Sequence, residues 1–212
     1  MQIIRLSHAR GGPSFEDVKI AFLGLGTMGL PMATRLVTAG HDVTTFTRAE
    51  HGDVTANRAA VAAAIRGQDA VISALGRGNS FKSGQLMARA MDLILPAMQR
   101  EGVRRLIVVS AFGVGESFYE APLMAKLFFR TALRHIYADK AIADDFVRRS
   151  GLDWTLVYPT RLTNGPRTGR YWAGEHFQLG SATKISRADV AEFVIHQLTD
   201  PSWLRKTVII ST

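Results

Sequence analysis

Gly24, Gly26 and Gly29 stand in the order G-x-G-x-x-G within "FLGLGTMGLPMATRLVTAGHDVTTFTR" (Phe22–Arg48). A short apolar segment, "KIAFLG", precedes them. "MGLPMATRLVTAGH" follows, with Leu30, Ala33, Leu36 and Val37 on one helical face. In such a strand–turn–helix setting each glycine has a separate physical task. The first permits the tight turn, the second lets backbone approach a pyrophosphate, and the third lets helix pack close to strand. The helix N-terminus then offers free N–H groups and partial positive charge to the phosphates. The loop from Gly24 to Gly29, with Thr27 and Met28 inside it, is therefore a candidate cradle for a dinucleotide. Arg48 ends the next strand, "DVTTFTR". A guanidinium there forms a bidentate, charge-assisted contact with a ribose phosphate, which favours NADP(H) over NAD. Glu50 is the counterweight, because a carboxylate serves unphosphorylated ribose hydroxyls instead.

The elements that must position these groups alternate along the chain. "KIAFLG", "DVTTFTR", "DAVISALG", "RRLIVVSAFG", "LDWTLVYP" and "KTVIIS" read as strands, most of them apolar on both faces. "NRAAVAAAIRG", "GQLMARAMDLILPAMQREG", a mixed region over Pro122–Leu133, a longer segment over Ile136–Arg149 and "SRADVAEFVIHQL" read as helices. Ser186 is the expected N-cap of the last, with Asp189 three residues on. Alternation of this kind specifies an α/β, Rossmann-like, doubly wound parallel sheet covered by helices on both faces. Residues 1–18, broken by Gly11, Gly12 and Pro13, read as a tail, and 19–212 as one domain. Open sheets of this class bind ligands at the carboxyl ends of their strands. "SALG" (Ser73–Gly76) is then a candidate second wall, with Ala74 small, Leu75 beside it and Gly76 open to close approach. Ser110 ends "LIVVS" at an equivalent height.

Composition excludes several classes. The chain has 212 residues and no cysteine, which removes disulfides, thiolate metal sites and cysteine nucleophiles. The histidines lack metal-ligand spacing, so no metal is expected. No G-x-S-x-G elbow is present, which argues against an esterase. The net charge of +8 comes from scattered basic residues, which favours attraction of an anionic cofactor over nucleic-acid binding. The longest apolar runs are too short to span a bilayer, and no signal peptide is evident; a cytoplasmic protein, monomer or homodimer, acting on a small molecule is expected. "LMAKLFFRTALRHI" carries apolar residues at helical spacing and reads as core, as a dimer face, or as a lid over a flat aromatic substrate.

Two family resemblances divide the sequence. "GLGTMGLPMATRLVTAGHDVTTFTR" resembles the N-terminus of the β-hydroxyacid dehydrogenases, the 3-hydroxyisobutyrate and 6-phosphogluconate group, over about thirty residues. Those enzymes carry their catalytic lysine on a large helical second domain, for which this chain is too short. From about Gly52 onward, "GDVT", "GQDAVISALG", "RLIVVSAFG", "YADKAIADDFVRRSGLDWTLVYPTRLTNGPRTGRY" and "ISRADVAEFVIHQL" resemble the atypical short-chain dehydrogenases of the NAD(P)H-binding, NmrA-like and biliverdin IXβ/flavin reductase type. That group usually has G-x-x-G-x-x-G in its first loop, one residue longer than here. It also has a further strand before "GDVT", where this chain has only Ala49–His51, so one edge strand is expected to be missing and the chain looks like a mosaic.

The second resemblance implies roles. Asp53 would meet the adenine amino group, and "SALG" would lie beside ribose and pyrophosphate. Ser110 would polarise a substrate carbonyl, and Lys140 would bind the nicotinamide ribose. Tyr137 would donate the proton, although "YADK" spaces the pair by three residues where the family has four. Tyr158 and Pro159 would flank the nicotinamide, with Arg161 and Thr163 on the substrate side. The implied activity is an NADPH-dependent reductase passing hydride to a flavin, quinone or other conjugated or carbonyl acceptor. Two alternatives stand beside it: an NmrA-like NAD(P)-sensing regulator without turnover, and a cofactor-binding fragment of β-hydroxyacid dehydrogenase type.

Overall fold

The structure is a computed structural model that describes residues 4–6, 18–46, 57–76, 85–176 and 183–212. Arg48, Glu50 and Asp53 lie outside the described residues. Six parallel strands form the centre of one sheet, in the order β3 (Asp42–Phe46), β2 (Lys19–Leu23), β4 (Ala70–Ser73), β5 (Arg105–Val109), β6 (Asp153–Pro159) and β10 (Lys206–Ser211). These are the six strands expected from the sequence.

The strands are apolar on both faces because both are covered. In β2, Ala21 and Leu23 face one core and Ile20 and Phe22 the other. The first core is completed by α2 (Arg58–Ile65), α3 (Leu86–Glu101) and α6 (Arg134–Arg149), through residues such as Val61, Met91, Ile94 and Val147. The second is completed by α1 (Gly29–Thr38) and α7 (Arg187–His196), through Met32, Leu36, Val190 and Val194. The doubly wound α/β reading is what the structure shows. Local signals work where they were clear. Asn57 accepts the Ala60 N–H at 2.9 Å to start α2, and Ser186 accepts the Asp189 N–H at 2.9 Å to start α7.

Other expectations need correction. The tail is not wholly outside the sheet, because β1 (Ile4–Leu6) pairs antiparallel with β3 in the register Ile4↔Thr45 to Leu6↔Val43. The edge expected to lack a strand is thus occupied from the N-terminal side, in the opposite direction. At the far edge β8 (Trp172–Gly174) pairs antiparallel with β10. A separate parallel pair joins β7 (Arg161–Thr163) to β9 (Lys184–Ser186). All four of these strands are three residues long, too short for a period-two pattern to register. The mixed helical region over Pro122–Leu133 forms one helix, α5 (Leu123–Thr131), no residue of which is buried, and a short helix that the sequence reading did not expect, α4 (Ser117–Glu120), precedes it. Leu123, Met124, Leu127 and Phe128 face solvent, so the core reading of that apolar stripe does not hold.

The chain runs from β2 through α1 to β3, then recrosses through α2 to β4 on the other side of β2. Strand order reverses there, which opens a crevice above the carboxyl ends of β2 and β4. β5 and β6 end on the same side, and α6 descends from that side.

Candidate functional site

The glycine loop emerges from β2 with each glycine in a distinct environment. Gly24 has φ +101°, and a Cβ there would stand 3.0 Å from the Ala74 carbonyl group and from Leu75 Cα. Gly29, the first residue of α1, lies so close to the loop that a Cβ would meet the Gly24 carbonyl oxygen at 1.8 Å and the Phe22 ring at 2.9 Å. A Cβ on Gly26 would have nothing within 4 Å. The turn, the close packing and the open approach are the three features that a pyrophosphate cradle requires. At the start of α1 the preceding residue, Met28, gives no side-chain cap, so the first N–H groups of the helix have no side-chain acceptor at that position. The Ala74 N–H donates to the Leu23 carbonyl at 2.9 Å, which joins "SALG" to the end of β2. Gly24, Gly29, Ala74 and Leu75 are thus brought together, with Gly26 and Thr27 exposed beside them.

Further along the same edge a group of polar side chains is buried beneath the ends of β5 and β6. Asp144 of α6 is fully buried and accepts two hydroxyls on one carboxylate oxygen, Ser110 at 2.8 Å and Tyr158 at 2.7 Å. Arg148 donates to the Tyr158 hydroxyl oxygen at 3.0 Å. Burial raises the Asp144 carboxyl above its ordinary range, opposed by those two hydroxyls and the Lys140 and Arg148 cations. Burial lowers the Lys140 ammonium, opposed by the charges of Asp144 and Asp139. Lys140, Ser110, Ser73 and Asp144 border one cavity of about 10 Å³. That is room for roughly one water-sized group. The Lys140 ammonium has no hydrogen-bond partner among the described residues.

α6 is held in place by an acid of its own. α3 starts without a local side-chain cap, at Gln85 with φ +54°. Asp139 supplies the cap from α6, accepting the Met87 and Ala88 N–H groups at 3.0 Å each. The adjacent Lys140 is fixed by this anchor. A third buried acid, Asp189, ties the loop after β7 to α7. It accepts the Thr168 and Gly169 N–H groups at 2.7 and 2.9 Å, and the Ser186 hydroxyl at 2.7 Å. Burial opposes its ionisation, yet those hydrogen bonds hold its carboxyl below the ordinary range.

Several side chains sit differently from their implied roles. The hydroxyl of Ser110 has a single proton, and that proton goes to Asp144. Ser110 therefore presents an acceptor rather than a donor. Tyr137 donates to the Phe112 carbonyl at 3.1 Å, stacks on Phe129 at 4.8 Å, and borders a different pocket from Lys140. Burial pushes its phenol up to about 12, the wrong direction for a proton donor near neutrality. Three-residue spacing leaves Tyr137 on the outer turn of the helix, pointing at Gly113 rather than at Ser110. Tyr158 follows Trp154 and Leu156 onto the α6 face of β6, so its ring is core and only its hydroxyl reaches the polar group. Pro159 is buried, and its carbonyl accepts the Phe112 N–H at 3.1 Å. Arg161 is exposed on β7, and the Thr163 hydroxyl donates to the Ile185 carbonyl at 3.4 Å. Sequence reasoning missed Asp144. The available signal was an acid one helical turn after Lys140, on the face that carries Ala143 and Val147.

A family profile described as NAD(P)H-binding matches residues 24–201. The chain belongs to this NAD(P)H-binding family. The match begins at the first glycine of the loop and extends across the junction where the two resemblances met. An uncharacterized sugar epimerase of Bacillus subtilis (strain 168), YhfK, is 32% identical over 145 residues, 66% of this chain and 61% of that protein. The chain thus spans under two thirds of that relative's length. A crystal structure from Burkholderia pseudomallei, of a protein provisionally described as exported, has TM-score 0.77 at 25% identity and covers 92% of this chain and 100% of that one. A protein of Streptococcus pneumoniae TIGR4, provisionally called an NADH-flavin reductase, has TM-score 0.75 at 22% identity, over 92% and 99% of the two chains. At that identity the likeness shows the shared fold. Among the described residues of this NAD(P)H-binding protein, no helix is long and apolar enough to cross a membrane, and no group of three or more acidic or histidine side chains could hold a metal ion.

Proposed function

We propose that the chain is an NADPH-dependent reductase that passes hydride to a flavin, quinone or related conjugated acceptor. The observation that carries this reading is Lys140, an ammonium without a partner among the described residues. It borders the Ser110 cavity at the same sheet edge as the glycine loop. A bound reduced nicotinamide supplies the hydride. The chain's own part is to hold and orient. Gly26 offers open backbone to the pyrophosphate, and Ala74 and Leu75 wall the crevice. Lys140 offers its three donors to ribose hydroxyls. The Asp144 carboxylate keeps Ser110 facing outward as an acceptor. Neither the Ser110 nor the Tyr158 hydroxyl is free to give a proton to the acceptor. That favours acceptors protonated from water, such as flavins and quinones, over simple ketones. The preference for NADPH rests on Arg48, at the end of the sequence segment that supplies β3.

The same spent hydroxyls favour a second reading, in which the protein binds NAD(P)H as a sensor and turns nothing over. Thermal denaturation with NADPH, with NADH and with neither tests both. NADPH alone is expected to raise Tm, by RT ln(1 + [L]/Kd) in stability. Arg48→Ala is expected to remove the difference between the two nucleotides. No shift with either nucleotide overturns both readings. A shift without nicotinamide oxidation across a flavin and quinone panel leaves the sensor.

A further inference from the structure

A second pocket lies beyond the Ser110 cavity. Gly113, Phe118, Phe129, Arg130, Arg134 and Tyr137 line it, and it measures about 310 Å³. That is the lower end of the range for small-molecule sites, roughly 300–1,000 Å³. Gly113 follows Ser110 by three residues, and Tyr137 precedes Lys140 by three, one helical turn nearer the mouth of the crevice. The pocket therefore adjoins the place where the proposed nicotinamide would end.

Its walls are prepared. Phe129 and Tyr137 stack with centroids 4.8 Å apart and planes inclined by 20°, and Tyr137 is pinned by its bond to the Phe112 carbonyl. Gly113 makes this possible, since a Cβ there would lie 2.4 Å from the Phe129 ring and 2.9 Å from the Tyr137 ring. Fixed aromatic rings that line a pocket accept another flat π-system, stacked or edge-to-face, at low entropic cost. Among the described residues, the only charged ones that line the pocket are two arginines, and no carboxylate lines it. Neither Arg130 nor Arg134 forms an ion pair among the described residues. Arg134 gives its Nε–H to His135 at 3.0 Å and keeps its terminal donors for something else. Planar guanidinium groups without acid partners beside aromatic walls match a flat ligand that ends in a carboxylate or phosphate.

We infer that this pocket binds a planar aromatic acid, stacked on the Phe129–Tyr137 wall with its anionic group on Arg130 and Arg134. The inference rests on the reductase reading, because it makes that acid the hydride acceptor.

Binding to the full chain, measured by fluorescence titration, tests it with two matched pairs of probes. Naphthoate against naphthamide isolates a carboxylate, and FMN against riboflavin isolates a phosphate. At least one acid is expected to bind about 10-fold more tightly than its neutral partner, the worth of one charge-assisted contact. That ratio should fall to about one in the Arg130→Ala/Arg134→Ala double variant, and should invert in Arg130→Glu/Arg134→Glu. Both positions are exposed, and an unchanged Tm verifies that the variants fold. Equal affinity for acid and neutral partner in both pairs, or a ratio unmoved by the substitutions, overturns the inference. Failure of the reductase reading is visible separately, as absent NADPH oxidation with a bound acid, and leaves the binding ratio intact.

Discussion

The two ends of the crevice are built from different materials. The β2–α1 end is made of backbone: three glycines, the start of a helix and a small-residue strand end. The β5–α6 end is made of side chains: Ser110 and Tyr158 donate to the buried Asp144 carboxylate, Arg148 donates to the Tyr158 hydroxyl, and the Lys140 cation borders the same cavity. A backbone site depends on what is absent from its residues, so single added atoms should disable it. A side-chain site depends on pairing, so removal of one member should strand the others.

The largest effect is expected at Asp144. Asp144→Ala leaves two buried hydroxyls without their acceptor and the Lys140 cation without its nearby opposite charge. It should cost about 3 kcal/mol in denaturant unfolding, as loss of one member of a buried charged group does. Asp144→Asn, which keeps an acceptor oxygen, should cost clearly less; equal losses would mean that the carboxylate is incidental. The glycines come next, and they separate fold from binding. Gly29→Ala forces α1 away from the Gly24 carbonyl and should cost about 2 kcal/mol in the same assay. Gly26→Ala meets nothing and should leave stability within about 0.5 kcal/mol while weakening nucleotide binding measured by calorimetry. If Gly26→Ala binds nucleotide normally, the cradle assignment is wrong. The smallest effect on binding and rate is expected at Tyr137. Tyr137→Phe removes one hydrogen bond to the Phe112 carbonyl and should cost about 1 kcal/mol, with the rate of any flavin reduction retained. A large fall in rate would restore the tyrosine to the chemistry.

The same division explains what was legible beforehand. The six parallel strands and their helices were readable because each buries two faces or one stripe, and burial leaves a periodic trace. The glycine loop was readable because its function is written in residues that lack side chains. The polar group under β5 and β6 was not. Ser110 and Asp144 are 34 residues apart, and their pairing is decided by how α6 lies on the sheet. Tyr158 was placed at the nicotinamide by family likeness, but strand alternation turns it toward α6. Ser186 as N-cap was a local fact and visible. The reach of Asp189 across to Thr168 and Gly169 was a tertiary one and was not.

The short strand β1 has one more consequence. An uncovered β3 would present a row of backbone donors and acceptors to any other extended chain. With Ile4–Leu6 seated on it, the sheet ends in an outer rim only three residues long. Two copies of this protein cannot then extend one continuous sheet across β3 unless β1 first leaves. The chain has become its own neighbour at that edge.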